Sequence, residues 1–142
     1  MNDRIKALYR SHILVNAKDE SHQGKFDDAT HILEAYNPMC GDKYTLYLQL
    51  EGDAVVKATF EGFGCAISKA STAVLSKLIE GKSLQEIRPL VEMFFELVDE
   101  DSDRTPESLT DNEDLLAFAA ARQFPERKTC ATLSWGELRK HM

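Results

Sequence analysis

Cys40, Cys65 and Cys130 are the three thiols of this 142-residue chain, and Asp42 follows the first of them after a single glycine in Asn37-Pro38-Met39-Cys40-Gly41-Asp42. A turn calls for Asn, Pro and Gly, but it has no need of a thiol. Three thiolates and one carboxylate make four ligands, the number zinc takes in most protein sites. Gly41 removes side-chain bulk between Cys40 and Asp42, so that both can face one ion. The spacing is not the paired Cys-x-x-Cys of a closed structural site. Two plainer arrangements therefore stay open: three separate core thiols, since free cysteine is often buried, and an Asp42 bonded to its own turn. An ion held by this set would leave a net negative charge. Helix N-termini could offset that charge and lower the thiol pKa values. The carboxylate is a harder ligand than sulfur, so such a site would be more exchangeable than an all-sulfur one, which suits sulfur chemistry.

The elements that must carry these groups can be read from hydrophobic period and punctuation. Ile5, Leu8, Tyr9, His12, Ile13 and Val15 predict an amphipathic helix over residues 3–17, followed by a polar loop over 17–28 that turns at Gly24. Residues 30–36 read as a short strand that leads into the Cys40 turn. Tyr44, Leu46, Leu48 and Leu50 alternate along a strand over 44–51, and a Gly52-Asp53 hairpin joins it to a strand over 54–61. Cys65 then sits where strand gives way to a helix over 66–80, with Gly81 as its C-cap. Ser83 and Glu86 have capping-box spacing and start another helical segment, which Pro89 is expected to kink or restart. Residues 99–114 hold eight acids and one arginine and read as a solvated linker or surface loop. Thr110 and Glu113 suggest a cap for a helix over 115–121, Pro125 ends it, and Cys130 opens the last helix. A small antiparallel sheet covered by helices, an α+β arrangement, is the natural layering.

Composition narrows the function classes. A chain of this length suits one domain over 1–142, with the acidic loop at about 99–114 as an appendage. The formal charge of −7 and the lack of a basic run argue against nucleic acid and anionic membranes as partners. No apolar run is long enough for a transmembrane helix, and MNDRIKALYR lacks a signal core, so a cytoplasmic protein is expected. An odd cysteine count there favours metal or catalysis over disulfides. His12, His22, His31 and His141 are isolated and are not expected to be ligands. Ser68 and Ser71 have no evident base, Trp135 and Leu138 read as core, and GFGC lacks the dinucleotide fingerprint.

Taken in order, NPMCGD, GFGCAISKAS over residues 62–71 and KTCATLSW over residues 128–135 resemble the iron–sulfur cluster assembly scaffold family, most closely its zinc-dependent SufU sulfurtransferase branch. The resemblance implies a three-stranded antiparallel sheet with helices on one side, and Cys40, Asp42, Cys65 and Cys130 as ligands of one zinc ion. It implies a pyridoxal-phosphate cysteine desulfurase of the SufS type as partner, with Cys40 taking persulfide sulfur and passing it to downstream iron–sulfur assembly proteins. It also implies that a histidine of the partner displaces Cys40 from the zinc. The family's other role, a scaffold for a [2Fe–2S] cluster, is the alternative. Three departures from the scaffold branch favour sulfur transfer. Thr129 stands where scaffolds have histidine, Cys65 runs directly into Ala66 without a Gly-Ser insertion, and the segment between Gly81 and Cys130 is long.

Overall fold

The computed structural model describes residues 2–142. Helix α1 spans Asp3–Ala17 and is capped by Asn2, whose side chain accepts the Ile5 N–H at 2.8 Å. Its inner face buries Ile5, Leu8, Ile13 and Ala17.

The sheet is antiparallel in the order β1 (His31–Asn37), β2 (Asp42–Glu51) and β3 (Ala54–Phe63). Its register pairs Leu33 with Leu46 and Leu46 with Phe60, so that one apolar row crosses all three strands. Asp42 lies two residues before Tyr44, and the two-residue period of a strand puts both on the buried face. The central strand β2 and the edge strand β3 both run further than the alternation suggested. β2 starts at Asp42 itself, and β3 absorbs Gly62 and Phe63, which pair with Tyr44 and Lys43. A register shift between Gln49 and Leu50 leaves Leu50 only half-buried, although it continues the apolar alternation.

Helix α2 (Ala66–Ile79) and helix α6 (Lys128–Lys140) bring two of the thiols to one end of the sheet. Buried polar bonds fix these helices against each other. Ser71 donates to the carbonyl of Ala131 and accepts from Trp135 Nε1 at 3.0 Å, and the hydroxyls of Thr72 and Ser134 lie 2.7 Å apart. Trp135 and Leu138 are core residues, and the indole stacks on Phe94 with ring centroids 4.0 Å apart.

Helix α3 (Leu84–Leu97) has the Ser83–Glu86 capping box but is not broken by Pro89. Pro89 is exposed, while Ile87, Val91, Phe94 and Leu97 bury a continuous stripe. Tertiary burial of that stripe outweighs the lost backbone bond. The segment expected as a loop over 99–114 contains one short helical turn, α4 (Pro106–Leu109), and runs into a second, α5 (Glu113–Leu116). Asn112, not Thr110, caps α5 by accepting the Leu115 N–H. The following stretch is 3-10 over Ala117–Arg122, with a further 3-10 turn over Pro125–Arg127 before α6. An acidic cluster of Asp99, Glu100 and Asp101 precedes Cys130 in the chain. Among the described residues, no helix is long and apolar enough to cross a membrane.

Candidate metal centre

The turn between β1 and β2 carries Cys40. It closes with the Gly41 N–H bonded to the Asn37 carbonyl at 2.8 Å, and Asn37 Oδ1 accepts the Met39 N–H at 3.0 Å. Gly41 has a φ of +78°, a conformation that costs a side-chain-bearing residue energy and glycine none. This left-handed step takes the chain from the exposed Cys40 to the buried Asp42 within two residues.

Asp42 is the hub of the site. Its Oδ1 accepts the Cys65 N–H at 3.0 Å, and its Oδ2 accepts the Cys40 S–H at 3.1 Å. It is 3% exposed, yet no Lys, Arg or His nitrogen lies within 4.0 Å of it among the described residues. A buried carboxylate with no basic partner is costly and calls for a cation or further donors.

Cys40, Asp42 and Cys130 place ligating atoms within 4.8 Å of one another. Cys65 adjoins this group from the N-cap of α2, with its sulfur 3.9 Å from Asp42 Oδ2. That sulfur accepts the Ser68 N–H at 3.5 Å. The sequence places Cys130 at the opening of α6, but it is the third residue of that helix and half-buried. Burial, reinforced by Cys65, Asp42 and Cys40, pushes its thiol up to about 12. This is the reverse of the lowering expected from a helix N-terminus. Desolvation and three acidic neighbours outweigh the helix dipole as long as no cation is among them.

Three residues that sequence reading did not assign to the site complete it. Tyr44 is fully buried beneath it, and its hydroxyl lies 2.8 Å from Ser68 Oγ. Burial first, and Asp42, Cys65 and Cys130 after it, push the phenol up to about 12. Ser68 sits one helical turn after Cys65, and its hydroxyl donates to the Cys65 carbonyl at 3.1 Å. Gly64 leaves room for all of them. A Cβ there would lie 2.5 Å from Asp42 Oδ1 and 2.6 Å from both Ser68 Oγ and the Tyr44 hydroxyl. The available signals were the i, i+2 phase from Asp42 to Tyr44 and the i, i+3 phase from Cys65 to Ser68. The histidines lie elsewhere. His12 is 2.6 Å from Asp114, His22 and His141 are each 3.3 Å from a glutamate, and His31 contacts the Thr30 hydroxyl.

The profile of the family described as NifU-like N terminal domain matches residues 8–131, and the chain belongs to that family. Within it, the chain is 33% identical over 139 residues to the zinc-dependent sulfurtransferase SufU of Bacillus subtilis, covering 98% of this chain and 92% of that protein. It is 36% identical over 136 residues to the iron–sulfur cluster assembly scaffold protein IscU of Thermotoga maritima, covering 96% and 93%. Among solved structures, an iron–sulfur cluster assembly scaffold protein for the SUF system from Fervidobacterium islandicum superposes with a TM-score of 0.83 at 31% identity, over 94% of this chain and 96% of that one. The relatives thus carry names from both the sulfur-transfer and the scaffold branches.

Proposed function

We propose that this chain is a zinc-dependent sulfur acceptor of iron–sulfur cluster assembly, acting in the cytoplasm. In this reading it takes persulfide sulfur on Cys40 from a pyridoxal-phosphate cysteine desulfurase, stimulates that enzyme, and passes the sulfur to downstream assembly proteins. The observation that carries the reading is the asymmetry of the site. Cys40 is exposed on a glycine turn, and among the described residues its one side-chain partner is Asp42. Cys130 is fixed within α6, and Cys65, though also exposed, is fixed at the N-cap of α2 and tied further by the Ser68 N–H.

The donor set fits zinc. Thiolate ligands select a soft or borderline ion, and four ligands suit its tetrahedral preference. The uncompensated Asp42 and the raised Cys130 thiol both mark a place where a cation would relieve the site. Cys40, Asp42 and Cys130 would hold it, with Cys65 as the fourth ligand. Bound there, zinc would keep the thiols deprotonated and balance the buried carboxylate.

The rest follows from the chain's own groups. The Cys40 thiolate attacks the outer sulfur of the donor's persulfide. The donor's S–S bond breaks and its cysteine leaves as a thiolate, while a new S–S bond forms on Cys40, with no net oxidation. Gly41 lets Cys40 move while Asp42 stays anchored to the Cys65 N–H. Docking of the donor supplies proximity, which accounts for much of the rate.

The test is stimulation of a cysteine desulfurase by zinc-loaded protein and by Cys40→Ala. The wild type should accelerate cysteine turnover and the variant should not. Equal stimulation by both would remove Cys40 from its role. The second reading, a [2Fe–2S] scaffold, draws on the 36% identity to the Thermotoga maritima scaffold. It requires a coloured, stable protein after reconstitution with iron and sulfide, whereas the sulfur-acceptor reading expects colourless protein that retains zinc. Thr129 sides with sulfur acceptance, because it supplies no imidazole beside Cys130.

A further inference from the structure

An apolar groove of about 400 Å³ lies between α1 and the start of α2, and Cys65 is part of its lining. Ile13, Leu14 and Ile67 supply apolar wall, and Arg10 and Arg127 also line it. Leu14 is 54% exposed and the neighbouring Phe124 39% exposed, so apolar surface continues beyond the groove. The Arg127 guanidinium is held by the Tyr9 hydroxyl and lies 5.5 Å from the centroid of the Phe124 ring. Arg10 makes no side-chain hydrogen bond among the described residues. The chain has 24 acids against 17 Lys and Arg residues. Even so, neither Arg10 nor Arg127 has a carboxylate within 4.0 Å among the described residues. Two guanidinium groups left without acids, beside one apolar groove, are free to bind an anion from outside the chain.

We propose that this groove receives a segment of the sulfur donor that carries an apolar side chain next to a carboxylate. The proposal rests on the reading of Cys40 as the sulfur acceptor and adds how the donor is recognised. Two features select a protein segment. The groove is open and apolar with charge beside it, which matches a side chain followed by an acid. It also shares Cys65 with the thiol cluster, so a segment seated there brings the rest of the donor close to Cys40. Exposed charge pairs act mainly on association and weaken with salt.

The experiment measures sulfur loading of Cys40 by intact-protein mass spectrometry as the concentration of a cysteine desulfurase is varied, with cysteine in excess. Wild type, R10E, R127E and the charge-conserving R10K are compared at low and at high salt. R10E and R127E should raise the half-saturating desulfurase concentration by about three- to tenfold at low salt, as expected for charges at the edge of an interface. The effect should shrink as desulfurase or salt is raised, and R10K should behave like wild type. R127E also loses the Tyr9 contact, so R10E, which breaks no hydrogen bond, is the decisive variant. An R10E curve that overlays wild type overturns the groove proposal alone. So does a loss of loading by R10E that persists at saturating desulfurase, because that marks a damaged site. If free small carboxylates compete with the desulfurase for the groove at low millimolar concentration, the occupant is a small anion and the proposal of a protein segment fails. A wild type that takes no sulfur at any desulfurase concentration overturns the acceptor reading itself.

Discussion

The thiol cluster and the acidic segment both gather acids, and they treat them in opposite ways. In the acidic segment several charges have partners within the chain. Arg104 grips Glu96 through two of its nitrogens, and Lys128 Nζ lies 3.8 Å from Asp99 and 3.5 Å from Glu100. Arg122 donates to the carbonyls of Leu97, Glu96 and Arg104 at 2.9, 3.1 and 2.7 Å. The segment is therefore clasped to α3 and to the start of α6. Around Asp42 no basic side chain among the described residues answers the carboxylate, and the Cys130 thiol is pushed up instead of down. One region ties part of its charge to basic side chains on the elements around it and acts as scaffolding. The other keeps its charge uncompensated, as a cation site does.

The largest expected effect tests that contrast directly. Cys130→Ala removes one proposed ligand from the uncompensated set. Zinc affinity should fall on the order of a hundredfold or more, given the free energy such sites share among four ligands. Competition with a chelating dye measures it, and an unchanged affinity would separate Cys130 from the metal. Gly64→Ala comes next, because its Cβ would press on Asp42, Ser68 and Tyr44 together. Thermal unfolding should register a loss of about 1–3 kcal/mol, as for overpacked interiors, with weaker zinc retention. Tyr44→Phe removes the buried hydroxyl bonded to Ser68 and should cost about 1 kcal/mol.

The smallest effect belongs to the clasped acidic segment. The Arg104 and Ser102 hydrogen bonds hold the Glu96 carboxyl down at about 2, below its ordinary 4.5. A folded-state pKa lowered in this way adds stability that is fully present above about 4.5 and is lost as the pH falls towards about 2. Glu96→Gln should therefore lower the melting temperature slightly near neutral pH and not at all near pH 2. A Glu96 carboxyl that titrates at its ordinary value by NMR would show that the clasp is absent in solution.

Much of this was legible in the residues, and the reasons are local. Alternation from Tyr44 to Leu48 fixed the face of β2, and the same phase carried back to Asp42 explains its burial. The period of α1 and the Ser83–Glu86 box depend on neighbours within a turn or two, which a sequence displays. The features that escaped depend on distant partners. Pro89 survives inside α3 because of a buried stripe on the opposite face, and Asn112 displaces Thr110 as the cap two residues later than the spacing implied. The Ser71 bonds to Ala131 and Trp135 span about sixty residues and leave no local trace. The clasp of Lys128 on Asp99 and Glu100 is also non-local, so a run of acids read as a solvated loop. In the site, the four polar groups could be named from their types, whereas the turning of Cys65 towards Ser68 needed coordinates.

The central claim is that the one loosely held thiol of an uncompensated cluster accepts sulfur. The most direct measurement incubates zinc-loaded protein with a cysteine desulfurase and cysteine, and then locates added sulfur by peptide mass spectrometry. The account predicts one extra sulfur atom on Cys40 and none on Cys65 or Cys130. Sulfur found on either of those residues, or on none of the three, would contradict it.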